Sequence, residues 1–498
     1  MALWLKKKEI PFRIIDKSDG PAETSRAVAI QARTLEYYNQ LGVADEIVTA
    51  GSLAPELILR RKNHDRSNVF MGEFASSISP YPYLLFLPQN AHEKILARKL
   101  QNLNVVIEHN TELLYFAQNK HQVDVTVKGP QGEERFAVSY MCGCDGTQSL
   151  VRRLLGIKFL GKQYQQDFFV ADIETSTALP EKAVQINVNR NDFCIVMPLR
   201  ELNSARLTGV VPLESENKEN LSFVNVSDYV SRSTGLEIKK VNWFSIYNVN
   251  HRVATHFQQG RTFLVGDSAH IHSPVAGQGM NTGIGDAINL AWKLAAVLKG
   301  QASSRILSTY EAERRPSAEV LVETTDTAFR FLGSRSFWGA IFRAFILPVV
   351  FPILSKITTF VRYAFTLLSQ TGTHYRESAL SSGLAGAALA GNRLPWLKTK
   401  TGDNYESLKT MEWHIQIYGR ANESFSAVAN FRGFRIYEFE WNKQAAAKGF
   451  LKDAFYLIRP DGHIGLADAK QNSLNLKKYL NAWDIDYSQN VRSLNAAI

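Results

Sequence analysis

At 498 residues, with 45% hydrophobic and 21% charged residues, the chain has ordinary globular usage and room for two or three domains, which excludes a large disordered fraction. A net charge of +10 favours anionic ligands, but the longest basic run is Lys6, Lys7 and Lys8, too short for a nucleic-acid-binding block. The three cysteines, Cys142, Cys144 and Cys194, are odd in number and lack framework spacing, which excludes a disulfide scaffold and points to a reducing, cytoplasmic setting.

The start, MALWLKKKEI, places its charges after its apolar residues, the reverse of a secretory signal, and reads as a helical piece from Met1 to Lys8. PFRIID, 11 to 16, predicts a short buried strand ending at Asp16, so the two together read as the second half of a βαβ unit. TSRAVAIQARTLEYYNQLGV, 24 to 43, predicts a loop and then a helix closed by Gly42. NVVIEHNTELLYFAQ and QVDVTVKGPQGEERFAVSYMCGCDG alternate apolar and polar residues, as antiparallel strands do; the second turns at GPQGEE and ends at Asp145-Gly146.

From about 165 to 250 the pattern is strand-rich: DFFVADIE, AVQINVN, DFCIVMPL, ARLTGVV and NWFSIYNV. This predicts a sheet domain inserted into an α/β domain, because the βα pattern resumes at RTFLVGD. Residues 281 to 370 read as mostly helical. Their most apolar stretch, AFILPVVFPIL at 344 to 354, holds two prolines and is too short to span a bilayer. It reads as a buried or interface helix pair, with attachment to a membrane surface as the second reading. After AGNRLPWL, strand and helix signals alternate through FRIYEFEW and AFYLIRPDGHIGLA, which predicts a small third domain.

The densest motif is RTFLVGDSAHIHSPVAGQGMNTGIGDAINLAWKLAAVL, 261 to 298. A buried strand from Thr262 to Val265 delivers Asp267 at its carboxyl end, where open α/β sheets place ligands and where a carboxylate can accept hydrogen bonds from ligand hydroxyls. Gly277 and Gly279 let the backbone approach a flat or anionic group closely. The helix from Met280 then points its free N–H groups and positive dipole end at that group. A flavin suits this arrangement, because its pyrimidine edge is negative when reduced. His270 and His272 do not make a metal site: further ligands are lacking, and no cysteine follows Cys194.

This stretch resembles the second flavin-binding motif of the FAD-dependent aromatic hydroxylases, the para-hydroxybenzoate hydroxylase class of flavoprotein monooxygenases, nearest to the phenol hydroxylase and pentachlorophenol monooxygenase branch. CDGTQSLVRRLLGI, 144 to 157, resembles the class's Asp-Gly motif, with Asp145, Gly146, Ser149 and Arg152 in place. IDKSDGPAETSRAVAIQARTLEYYNQLG resembles its segment after the second Rossmann strand, and YEAERRP and LIRPDGHIGL fit the branch with a thioredoxin-like third domain. The resemblance implies a FAD-binding Rossmann-like domain of the glutathione-reductase type at 1–160 and 255–320 and a substrate-binding sheet domain at 161–254. A helical connection at 321–384 and a thioredoxin-like domain at 385–498 complete the arrangement. The last contains no cysteine, so thiol redox chemistry is excluded there.

By the same resemblance Asp16 holds the adenosine ribose, Arg26 lies near the pyrophosphate, and Gln89 contacts the flavin. Asp145 serves FAD and the nicotinamide cofactor, and Asp267 binds the ribityl chain. Pro274 and the backbone of Gly277, Gly279, Met280 and Asn281 border the isoalloxazine ring. The implied reaction is hydroxylation of a phenolic or polyketide-like ring with NADPH or NADH and O₂, through a flavin C4a-hydroperoxide. No catalytic side chain is assigned, no nucleic-acid or membrane partner is expected, and a homodimer is the reading of oligomeric state. The class opens with a strand and GxGxxG, whereas MALWLKKKEI begins inside what should be the first helix, so that strand and loop are expected to be lacking. Met1 then reads as an internal methionine of a longer protein or as a genuine truncation. The alternative function is an inactive FAD-fold relic or fragment acting as a binding or scaffold protein.

Overall fold

The computed structural model describes the chain apart from residues 22–26, 62–63, 181, 190–191, 213–220, 273–276, 333–336 and 489–498. Its largest sheet has eight strands in the order His270–Ile271, Ile238–Ala254, Phe159–Thr175, Ser204–Val210, Phe193–Pro198, Ala183–Val188, Glu56–Arg61 and His64–Phe70. Pairing is antiparallel throughout except between Ala183–Val188 and Glu56–Arg61. All five strands read between 165 and 250 lie here, and Glu56–Arg61 and His64–Phe70 extend the sheet beyond them. The sequence reading missed the helix Val224–Thr234, whose Val226, Tyr229 and Val230 cover one face against Phe169, Ala171 and Leu207.

The parallel pairing expected of the α/β domain is present in two pieces. Met141–Gly143 pairs in parallel with Thr262–Leu264, whose three residues are all buried. The predicted strand at 11–16 is only a parallel bridge between Ile15 and Glu108, and its residues are not buried, because no second strand pairs with it among the described residues. Beside these pieces runs the meander Glu112–Gln118, Val123–Gly129, Gly132–Val138, with Val123, Val125 and Val127 buried and the intervening Asp124 exposed. Its second connection tightens to Pro130-Gln131.

The helix Gly279–Leu298 runs through the centre with thirteen buried residues. The short helix Ala2–Lys7, which buries Trp4 completely, packs on it. Ala32–Leu41 ends as expected at Gly42, whose φ of 67° is the left-handed cap that glycine adopts without strain. Toward the C-terminus a mixed five-stranded sheet has the order Ser382–Leu384, Ile464–Asp468, Phe455–Ile458, His414–Tyr418 and Arg435–Phe439. Trp413 of this unit packs edge-on against Trp292 of the central helix, 5.6 Å between ring centroids. For the stretch at 344–354, the buried half of the reading is corrected: the helix Leu347–Leu354 contains no buried residue.

Candidate functional site

Two motifs far apart in sequence meet at the carboxyl ends of the Met141–Gly143 and Thr262–Leu264 pair. The Gly143 carbonyl accepts from the Val265 N–H at 3.0 Å and from the Ser268 hydroxyl at 2.6 Å. Asp145 follows one strand and Asp267 the other, the latter in the short 3₁₀ turn Gly266–Ser268, and both are exposed. One Asp145 oxygen accepts the Val151 N–H at 3.0 Å, and Ser149 caps the helix Leu150–Leu154 by accepting the Arg152 N–H at 2.9 Å. Arg152 crosses to the other motif, donating to the Ser268 carbonyl at 2.8 Å while its guanidinium lies 3.9 Å over the Phe159 ring. The Asp-Gly motif therefore braces the turn that carries Asp267.

The 3₁₀ turn sits on the central helix by glycine contact. A Cβ on Gly283 would lie 3.1 Å from the Gly266 Cα, and Gly266 itself has φ of 64°. At that helix's N-terminus Gln278 makes no side-chain cap and no acid occupies the first turn, so its first N–H groups suit an acceptor from outside the helix. Gly277, at φ of 60°, leaves no space for a side chain, since a Cβ would meet that of Ala29 at 2.8 Å. Asn281 locks the turn: its amide donates to the carbonyls of Ala29 and Gly277, both at 2.9 Å, and its oxygen accepts from the Gln31 N–H at 2.9 Å and the Thr34 hydroxyl at 2.7 Å. Met280 lies beside it, half-buried.

Gln89 reaches the same edge. Its side-chain oxygen accepts the Ala27 N–H at 3.2 Å and its amide donates to Glu93 at 2.7 Å. The structure thus gathers Gln89, Gly277 and Asn281 about Ala27–Gln31, with Gly279 and Met280 between them in sequence, while Arg152 joins the Asp145 motif to the turn of Asp267. Asp16 is not tied to them by any hydrogen bond among the described residues; its carboxylate accepts the Ser18 N–H at 2.8 Å next to the Ile15 bridge. Arg26 and Pro274 lie outside the described residues.

Sequence reasoning missed Asp286, the hub beneath the turn. One of its oxygens accepts the Gly266 N–H at 3.1 Å and faces His270 Nε2 at 2.6 Å; the other accepts from Arg314 Nε at 2.6 Å. Burial pushes this carboxyl up, but Arg314 and His270 overcome burial and hold it below the usual carboxylate range. Arg314 also donates to Tyr375 Oη at 2.8 Å and to the Thr282 carbonyl at 3.1 Å. The signal was available, since Asp286, Asn289 and Lys293 fall at spacings of three and four on one face of an otherwise apolar helix. His270, weighed as a metal ligand, is committed to Asp286 instead.

Residues 1–325 match the family described as FAD binding domain. The chain is 31% identical over 392 residues to 6-methylpretetramide 4-monooxygenase from Streptomyces rimosus, covering 77% of this chain and 69% of that protein. It is 28% identical over 335 residues to pentachlorophenol 4-monooxygenase from Sphingobium chlorophenolicum, covering 64% of this chain and 60% of the relative. Among solved structures, the OxyS anhydrotetracycline hydroxylase from Streptomyces rimosus superposes with a TM-score of 0.76 at 25% identity, covering 97% of this chain and 96% of that one.

Proposed function

The chain belongs to the FAD-dependent aromatic hydroxylases, the class A flavoprotein monooxygenases, and from that membership we propose that it hydroxylates a phenolic or polyketide-like aromatic ring with FAD, NADPH or NADH, and O₂. The observation that carries this reading is that Asp145 and Asp267 follow the two parallel strands, joined by Arg152 on the Ser268 carbonyl, with the turn of Asp267 set by Gly266 on Gly283 near the uncapped start of Gly279–Leu298. These residues fit FAD: exposed carboxylates at strand ends suit its hydroxyls, and a glycine turn against a positive helix end suits a flat ring with a negative edge. When bound, FAD supplies the redox chemistry, taking a hydride from the nicotinamide and activating O₂.

On this reading the side chains bind, orient and shield. Asp267 accepts from the ribityl hydroxyls, Asp145 serves FAD and nicotinamide, and Gln89 together with the backbone from Gly277 to Asn281 and Pro274 borders the ring. Asp16 holds the adenosine ribose and Arg26 lies near the pyrophosphate. No side chain has a covalent task. The substrate is placed against the large sheet, where Ile195 and Met197 pack on Val28 and Ala29 beside the glycine turn and can exclude water. The proposed units are 1–160 and 255–320 for FAD, 161–254 for substrate, 321–384 as helical connection and 385–498 as a thioredoxin-like unit, with Glu56–Arg61 and His64–Phe70 of the first segment completing the substrate sheet.

The test is flavin retention by Asp267→Ala, at an exposed side chain, with the variant's thermal midpoint measured beside the parent's. After incubation with FAD and removal of free cofactor, the parent chain should keep a visible flavin band and oxidise NAD(P)H faster with phenols or polyketide aromatics. The variant should lose most of the band. Equal flavin content in both, or none in the parent, would reject the assignment.

A further inference from the structure

The helices from Trp338 to Leu368 expose an apolar face, independent of the flavin site, that nothing in the described structure covers. Leu347 and Phe351, four residues apart, pack inward on the large sheet beside Leu59, Phe168 and Val188. Phe345, Val349 and Ile353, also at intervals of four, take the opposite face. With Trp338 and Tyr363 they are between 60% and 75% exposed. The segment is anchored by buried Val361 and Phe365, by Ser355 to Ser67 at 3.0 Å, and by Arg362 to Ser77 at 2.6 Å. Its outward face is therefore a fixed feature of the surface, and an apolar patch of this kind on a soluble body marks an interaction site.

Charge identifies the occupant. Between Asp326 and Glu377 the sequence has no acidic residue and six basic ones, Arg330, Arg335, Arg343, Lys356, Arg362 and Arg376. Arg343 is buried, but Lys356, in the turn between the two helices, and Arg362, on the second of them, are exposed, and Arg61 lies 5.7 Å from the Phe345 ring centroid. A second copy docked face to face would set these cations against their own images, whereas lipid phosphates neutralise them. No single described helix is long and apolar enough to cross a bilayer, but Trp338–Leu354 and Thr358–Leu368 together have the composition of a membrane-inserted pair, bent by 108°. We propose that this face docks on an anionic membrane surface, sinking Trp338, Phe345, Val349 and Ile353 to the boundary between headgroups and acyl chains, with Lys356 and Arg362 on the phosphates.

Co-sedimentation of the full chain with phosphatidylglycerol/phosphatidylcholine vesicles, beside pure phosphatidylcholine vesicles, tests this. Partitioning should be at least ~10-fold stronger to the anionic vesicles, should fall in high salt, and should drop by at least ~10-fold in the double variant Val349→Glu/Ile353→Glu. Both native side chains are exposed, so the variant's thermal midpoint should match the parent's. Fluorescence quenching by lipids brominated on the acyl chain should shrink in Trp338→Phe. Failure of the parent to sediment, or undiminished binding of the double variant, overturns the proposal. A concentration-dependent dimer in lipid-free solution that the double variant abolishes overturns it as well, and assigns the face to a second copy.

Discussion

Asn281 uses its amide oxygen twice and its amide nitrogen twice inside the fold, leaving nothing of the side chain for a ligand. Its contribution to the site is the position of Gly277 and of the first helical turn, transmitted through Ala29 and Gln31. Asn281→Ala should leave the buried Gln31 N–H and Ala29 carbonyl without these partners, at a cost of about 2–4 kcal/mol in urea unfolding. Flavin retention should fall with it, although no ligand contact has been removed. A variant with parental stability and parental flavin content would show that the turn holds without this side chain. Residues such as Asp145 and Asp267 were legible in the sequence because the motif that positions each is local. Asn281 was legible only as backbone, because its Gln31 partner is 250 residues away. Asp286 escaped for a similar reason, since two of its partners lie on a preceding turn and strand and the third on the next helix.

Between elements, the contact that sets the height of Asp267 above the central helix is Gly266 on Gly283, with nothing larger than hydrogen between the two backbones. A β-branched side chain at 283 cannot be absorbed by a flexible neighbour, because the atom it meets is backbone. Gly283→Val should lift the turn, cost about 1–3 kcal/mol by overpacking, and weaken flavin retention more than its stability loss alone explains. Thermal unfolding and flavin titration on the same preparation separate the two effects; a stability loss with unchanged flavin affinity would mean the turn moves without disturbing the site. At this scale the sequence served well for strands and poorly for two helices. The strands between 165 and 250 alternate and carry β-branched and aromatic residues, so their existence was legible. Val224–Thr234 carries the same residue types, with Val226 and Val230 at helical spacing, and packing against Phe169 and Leu207 decides for helix over strand preference. Leu347–Leu354 misled in the other direction, since composition alone reads an apolar run as buried and says nothing of which neighbours the fold supplies.

The molecule as a whole is closed by buried charge. Arg459 donates to both oxygens of Glu313 at 2.7 and 2.9 Å and to Asp461 at 2.6 Å, while Lys293 donates to Glu313 at 2.8 Å. Arg393 clamps Glu36 at 2.6 and 2.9 Å, and Arg33 reaches the Asp461 carbonyl at 2.7 Å. These pairs join the Ala32–Leu41, Gly279–Leu298 and Ser308–Leu332 helices to the C-terminal sheet unit, so that unit should unfold with the rest rather than separately. At Glu36, Asp286, Glu313 and Asp461 burial raises the carboxyl, but the guanidinium partners, with Lys293 at Glu313 and histidines at both aspartates, overcome it and hold all four below their ordinary values of 4.5 and 3.8. Each therefore binds its proton more readily in the unfolded chain. Above the ordinary values all four are ionised in both states and contribute no slope; below them the unfolded chain takes up as many as four protons that the folded chain holds off, one at each carboxyl, so stability falls as the pH drops. Urea midpoints measured from pH 6 downward should stay level and then drop steeply below about pH 4 in a single transition. Glu313→Gln removes one of the four protons, so its curve should start from lower stability but fall less steeply, because Lys293 and Arg459 have already lost their shared partner. A parent slope of one proton or less, or a C-terminal transition that separates from the main one, would show that these pairs do not couple the two halves of the chain.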